Sequence, residues 1–86
     1  MKFFFIVVIY NKNCDESKTC QALLNRNNSD EYVMIMDNSE IKNDNMSFCN
    51  ELQWKYVSMN GNKGLSKAYN KAINILKDNK NDFIIW

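Results

Sequence analysis

The chain has 86 residues, below the roughly 100 to 150 of a typical domain, so it is one small domain or a piece of one, and a multi-domain organisation is excluded. Lys and Arg number 11 against 10 Asp and Glu, a net charge of +1, so no long-range field favours nucleic acid or an anionic membrane as partner. Histidine is absent, which removes the commonest metal ligand and the commonest base at neutral pH and leaves acid–base work to carboxylates. Fifteen Asn and ten Lys against a single Arg read as the codon usage of an AT-rich genome rather than as a functional tract.

The first element in the chain is Phe3 to Tyr10, a continuous apolar run rich in aromatic and β-branched residues. That is the pattern of a strand covered on both faces, as in a parallel sheet. Preceded by Met1-Lys2, the run has the look of a short signal peptide, but Tyr10-Asn11-Lys12-Asn13-Cys14 lacks the small residues of a cleavage site. It also falls far short of the ~20 apolar residues that span a bilayer. The polar stretch Asn11 to Glu16 forms a turn, and Asp15 or Ser17 caps a helix running to about Asn25, with Cys20, Leu23 and Leu24 on its apolar side. Asn25 to Asp30 is turn-forming, and Tyr32 to Met36 is a second strand stopped by Asp37-Asn38-Ser39.

Glu40 to Asn50 is polar with scattered Ile41, Met46 and Phe48, and Asp44 starts a turn of helix anchored by Cys49 and Leu52. Trp54, Tyr56 and Val57 mark a third strand. Both glycines of the chain then fall in one loop, Met59-Asn60-Gly61-Asn62-Lys63-Gly64. Leu65, Ala68, Tyr69, Ala72, Ile73 and Leu76 follow the spacing of one helical face, with Lys67, Lys71, Asn74 and Lys77 on the other, in a helix ending near Asp78. After a turn at Asn79 to Asn81, the stretch from Asp82 through Phe83-Ile84-Ile85-Trp86 reads as a fourth strand. Cys14, Cys20 and Cys49 have neither C-x-x-C spacing nor a His partner, which fits reduced thiols of the cytoplasm rather than zinc or a disulfide framework.

Strands alternating with helices predict a Rossmann-like, three-layer α/β/α domain on a mostly parallel four-stranded sheet. Ligands of such sheets bind beyond the carboxyl ends of the strands, where Tyr10-Asn11, Asp37-Asn38-Ser39 and the Gly61 to Ser66 loop all fall. Asp37 delivers an acceptor suited to a base N–H or a ribose hydroxyl; the same tripeptide also suits an Asx turn. Gly64, where the loop enters the helix, permits close backbone approach and presents the free N–H groups of a helix start to a phosphate; an ordinary Gly turn with Ser66 capping the helix is the other reading. The loop matches neither G-x-G-x-x-G nor a Walker sequence.

Taken in order, the segments Ile6-Val7-Val8-Ile9-Tyr10-Asn11, Ile35-Met36-Asp37-Asn38-Ser39, Asn62-Lys63-Gly64-Leu65-Ser66-Lys67-Ala68-Tyr69-Asn70 and Asp82-Phe83-Ile84-Ile85-Trp86 resemble the start of a family 2 glycosyltransferase. These are inverting nucleotide-sugar enzymes of the GT-A fold, here closest in pattern to rhamnosyltransferase-like branches. The resemblance spans residues 1–86 as one nucleotide-sugar-binding segment. It implies that Tyr10 and Asn11 line the nucleotide pocket, that Asp37 with Asn38 binds base or ribose, and that Asn62, Gly64, Ser66, Ala68 and Asn70 close the site near the diphosphate and sugar.

The chain departs from the family pattern where Ser39-Glu40 stand for Gly-Ser and where Tyr69 stands for the Arg that often precedes the helix Asn. The family's metal-binding Asp-x-Asp comes directly after the strand that ends here at Trp86. The divalent cation (Mg or Mn) and the catalytic base of a complete enzyme are therefore expected outside this segment, which is expected to be inactive alone. The resemblance implies a nucleotide diphosphate sugar of UDP or dTDP type and a glycan or lipid-linked acceptor as partners. A complete enzyme would be cytoplasmic or peripheral at the inner face of the membrane. An apolar last strand predicts self-association of the segment. The competing reading is a non-catalytic Rossmann-like module that binds a nucleotide or a protein. A response-regulator-like domain lacks its paired acidic residues, since Asn11 and Asn13 follow the first strand.

Overall fold

A computed structural model describes residues 2–25, 31–77 and 83–85. Three strands, β1 (Lys2–Ile9), β2 (Glu31–Asp37) and β3 (Lys55–Ser58), form a parallel sheet in the order β3-β2-β1. A three-residue stretch, β4 (Phe83–Ile85), pairs parallel with the other side of β1. The helices are α1 (Lys18–Leu24), preceded by a single 3-10 turn at Cys14–Glu16, α2 (Asn45–Glu51) and α3 (Leu65–Lys77). The result is an α/β fold built on a parallel sheet. The side chains of β4, residues 26–30 and 78–82, where turns and the end of the last helix were expected, and Trp86 lie outside the described residues.

The apolar run of β1 is continuous because both of its faces are covered. Phe4 and Ile6 join Met34, Met36, Met59 and the α3 residues Ala68, Ala72 and Leu76 in one core cluster. Val7 and Ile9 join Ile35, Cys14, Cys20, Leu23 and Cys49 in another. Alternation along β2 assigns each residue its side: Val33, Ile35 and Asp37 share a face with α1 and α2, while Met34, Met36 and Asn38 turn toward α3. That alternation separates the two polar residues at the end of the strand.

Ser17 caps α1 by accepting the Cys20 N–H at 3.3 Å, the role expected of it. Leu24 and Leu52, expected as apolar anchors, are instead exposed, and Asn45 with Cys49 forms the buried side of α2. The face expected of α3 divides: Ala68, Ala72 and Leu76 are buried, whereas Leu65, Tyr69 and Ile73 flank them in the open. Ser66 stands inside the first turn of α3. The helix is opened by Gly64, whose carbonyl accepts the Ala68 N–H at 3.3 Å. No helix among the described residues is long and apolar enough to cross a membrane.

Candidate functional site

The carboxyl ends of the strands are knit together first by backbone. The Asn38 N–H donates to the Ile9 carbonyl at 2.8 Å and the Met59 N–H to the Asp37 carbonyl at 2.8 Å, which carries the pairing one residue past β2 on the β1 side and one residue past β3 on the other. Asp37 is thereby fixed between β1 and β3 and is only 2% exposed. Burying a carboxylate is costly unless it is hydrogen-bonded, and donors from three residues meet it. Oδ1 accepts the Ser39 N–H at 2.9 Å, closing an Asx turn, while Oδ2 accepts the Tyr56 hydroxyl at 2.7 Å and Asn45 Nδ2 at 3.3 Å. Burial pushes the Asp37 carboxyl up, but hydrogen bonding from the Ser39 side chain, then from the Tyr56 hydroxyl, the Ser39 N–H and Asn45, outweighs it and holds the group below the usual aspartate range. Asp37 is therefore an ionised acceptor at neutral pH.

Two partners of Asp37 are not among the site residues expected from the sequence. Tyr56 pairs with Ile35 in the β2–β3 register, so its ring shares the face of Ile35 and Asp37 and its hydroxyl reaches forward to Oδ2. Burial, followed by the hydrogen bond to Asp37, pushes the Tyr56 hydroxyl well above the ordinary tyrosine value, so it stays a donor. Asn45 opens α2 and is 1% exposed. Its Oδ1 accepts the Cys14 N–H at 2.8 Å, and its Nδ2 donates to the Lys12 carbonyl at 3.0 Å as well as to Asp37. One buried amide thus ties the loop after β1 to the carboxylate after β2. A single Asn among fifteen carries no sequence signal for this role, whereas the alternation Trp54, Tyr56 beside Ile35, Asp37 did carry one for Tyr56.

Around this centre the expected residues divide. Asn11, at φ 46, donates its N–H to Ser39 Oγ at 2.8 Å and accepts from the Glu40 N–H at 2.9 Å and the Ile41 N–H at 3.3 Å. Tyr10 is exposed, and its hydroxyl donates to Glu40 Oε1 at 2.7 Å. Asn38 is buried on the α3 side. Its Nδ2 donates to the Gly64 carbonyl at 3.2 Å, while its Oδ1 has no hydrogen-bond partner among the described residues. Asn62 Oδ1 accepts the Gly64 N–H at 3.0 Å. Tyr10, Asn11, Asp37, Asn38, Asn62 and Gly64 therefore stand in one connected region. Ala68 does not present its side chain there, being fully buried against the sheet. Asn70 is exposed and, two residues from Ala68, leaves the helix on the opposite side.

An open cleft of about 610 Å³ lies along the carboxyl ends of β2 and β3, lined by Asp37, Ser39, Lys42, Tyr56, Ser58, Asn60 and Gly61 among others. A second, of about 500 Å³, lies between the loop after β1 and the start of α2, at Asn13, Cys14, Lys42, Asp44 and Phe48. The first holds the buried carboxylate and sits where parallel sheets bind ligands. Among the described residues no group of three or more Cys, Asp or Glu is placed to hold a metal ion. Searches against protein-family models, curated proteins and solved structures gave no match.

Proposed function

We propose that the chain is the nucleotide-sugar-binding part of an inverting glycosyltransferase, with the four-stranded, three-layer arrangement of the first half of a GT-A fold. The observation that carries this reading is Asp37: an ionised, fixed carboxylate at the end of a parallel strand, opening on a cleft large enough for a nucleoside. The loop from Asn60 to Gly64 brings the start of a 13-residue helix to the same end of the sheet, with no acidic residue in its first turn and Lys63 and Lys67 beside it, a setting that favours phosphate. The unpaired Asn38 Oδ1 next to Gly64 adds an acceptor for a hydroxyl donor. Its burial without a partner costs about 1–3 kcal/mol, a cost that a bound donor recovers.

In this reading the described residues bind and orient the donor, a UDP- or dTDP-sugar, for transfer to a glycan or lipid-linked acceptor. Asp37 is already occupied by donors from Ser39, Tyr56 and Asn45, so it does not fit as a ligand of the divalent cation that the resemblance implies. The three buried free thiols favour a reducing compartment, the cytoplasm. A protein-binding module is the second reading, favoured by the exposed Leu65, Tyr69 and Ile73 at four-residue spacing on α3; self-association through the last strand belongs with it. Amide chemical-shift mapping with UDP and dTDP tests the first reading. Shifts at Asn11, Ser39, Tyr56 and Gly61 are expected, with no sugar transfer by this chain alone. Silence at all four positions at millimolar nucleotide overturns it.

A further inference from the structure

The chain holds fifteen asparagines, and only one of them, Asn60, is followed by glycine. The pair lies in the loop between β3 and α3, where Asn60 is exposed and stands at φ 59 and Gly61 at φ 115. The Asn60 N–H donates to Ser58 Oγ at 3.1 Å. Among the described residues no hydrogen bond engages the Asn60 carboxamide or the Gly61 N–H. No atom beyond the chain neighbours stands within 4 Å of the place a β-carbon would take on Gly61, so the backbone there turns without collision. Asn38, which precedes Ser39, has the opposite setting: it is 2% exposed, and the N–H that follows it is held by Asp37 Oδ1 at 2.9 Å.

We propose that Asn60-Gly61 is a self-modification site: the Gly61 nitrogen closes on the side-chain carbonyl carbon of Asn60, and water opens the ring to leave a carboxylate at position 60 on the wall of the cleft. The Gly61 nitrogen gives its proton to a solvent base and bonds to Asn60 Cγ; the Cγ–Nδ2 bond breaks, and Nδ2 takes a proton from water and leaves as ammonia. The product is a cyclic imide. Water then adds to one of its two carbonyls and breaks that carbonyl's bond to nitrogen, which recovers its proton. Opening at the side-chain carbonyl gives aspartate, and opening at the main-chain carbonyl gives isoaspartate, whose main chain runs through the β-carbon. Either way water is consumed, ammonia is released, and nothing is oxidised or reduced. Glycine admits the attack because it brings no side chain against the closing ring. The peptide has to turn for the ring to close, and the bond to Ser58 that restrains it is exposed. The charged residues lining the cleft are Asp37 and Glu40 against Lys42, so conversion of Asn60 takes the lining from one net negative charge to two.

The test is peptide mapping by mass spectrometry of the chain kept folded at mildly alkaline pH, beside a sample kept unfolded in guanidinium chloride. Asn60 is expected to convert to a mixture of aspartate and isoaspartate several-fold faster than any other asparagine of the folded chain, at a rate close to that of the unfolded sample. Asn60→Gln, whose ring would be one atom larger, is expected to remove that conversion, and Gly61→Ala to slow it. A folded rate at Asn60 no faster than at the other asparagines, or far below the unfolded rate, overturns the site, since the fold then protects the pair. Asn60→Asp supplies the charge of the product directly, and its affinity for UDP by calorimetry is expected to fall several-fold at low ionic strength and by less as salt is added. This effect on the cleft rests on the nucleotide-binding reading above, and unchanged UDP affinity in Asn60→Asp overturns it. Conversion at Asn60 in a chain that binds no UDP overturns that reading and leaves the modification site established.

Discussion

The two sides of the candidate cleft are built on opposite plans. On the β2 side, Asp37 is held by groups from β3, α2 and its own turn, and Asn45 extends that network to a loop about thirty residues away in sequence. On the side where the chain enters α3, hydrogen bonds are short-range and exposed: the Asn60 N–H to Ser58 Oγ at 3.1 Å and the Gly64 N–H to Asn62 Oδ1 at 3.0 Å. Three residues there, Asn60, Gly61 and Gly64, have positive φ. The Asn38 carboxamide bridges the two sides through its bond to the Gly64 carbonyl. A buried network has one low-energy arrangement because each broken bond leaves a desolvated polar group, whereas water replaces the exposed bonds at little cost. One side of the cleft is thus held by buried, long-range bonds and the other by exposed, local ones, a division that suits the nucleotide-sugar reading proposed above.

Asp37→Ala puts the largest strain on that contrast. It strips the partner from the Tyr56 hydroxyl, Asn45 Nδ2 and the Ser39 N–H together, and hydrogen bonds to charged groups contribute about 1.5–3 kcal/mol each. A loss of about 3 kcal/mol or more is expected by urea denaturation, a large share of the roughly 4–13 kcal/mol available to a chain of this size. Nucleotide binding, where it is measured, is expected to fall by at least ~10-fold. A loss below about 1 kcal/mol would mean that the network is no more rigid than the loop facing it.

The next effect is on pH dependence, again confined to the buried side. Asp37 is held below its ordinary value, so its contribution is fully present above the unfolded aspartate value near 3.9 and is lost as pH falls through the lower folded value. The thiols behave in the opposite sense. Burial pushes Cys49 up to about 11, and Cys14, in contact with the Cys49 and Cys20 thiols, higher still. An unfolded chain releases those protons near pH 8.5 while the folded one keeps them, so stability falls between that pH and about 11. Cys49→Ala is expected to flatten this alkaline decline while leaving the acid limb unchanged; thermal melts from pH 3 to 11 check both.

Much of this was legible in the sequence. The unbroken apolar run of β1 announced burial on both faces, and the polar residues after each apolar run marked the strand ends, Asp37 included. The helix from Leu65 was legible as an element but not in its packing. Periodicity placed Leu65, Tyr69 and Ile73 with Ala68 and Ala72, and only packing on the sheet decides that the small alanines are buried and the larger residues flank them in the open. Asn45 was illegible for a different reason. Its role depends on bonds to Lys12, Cys14 and Asp37 that exist only once β1, β2 and α2 are assembled, and an asparagine in an Asn-rich loop looks like every other.

Gly64→Ala moves to the side held by exposed, local bonds. The backbone there is at φ 83, and no atom beyond the chain neighbours stands within 4 Å of the place a β-carbon would take. The cost is therefore conformational alone, about 1–2 kcal/mol for an L-residue in the left-handed region. Gly64→Asn is expected to cost less, since Asn tolerates that region better than other residues. Equal losses for the two, measured by urea denaturation, would show that steric contact, rather than backbone conformation, governs the entry to α3.

Asn62→Ala is expected to have the smallest effect and bears most directly on the contrast. The side chain is exposed, and its Oδ1 makes one bond, to an N–H two residues on, which water replaces when the amide is removed. A change within about 0.5 kcal/mol is expected, the usual range for surface substitutions, or a shift of roughly 2–4 °C in the melting midpoint of a domain this size. Hydrogen exchange at the Gly64 amide is expected to quicken while that at Asn38, bonded to the Ile9 carbonyl, stays as slow as before. Should the Asn38 amide quicken as well, its link through the carboxamide to Gly64 would be carrying the loop's opening into the β2 side, and the two halves of the cleft would have to be treated as one cooperative unit.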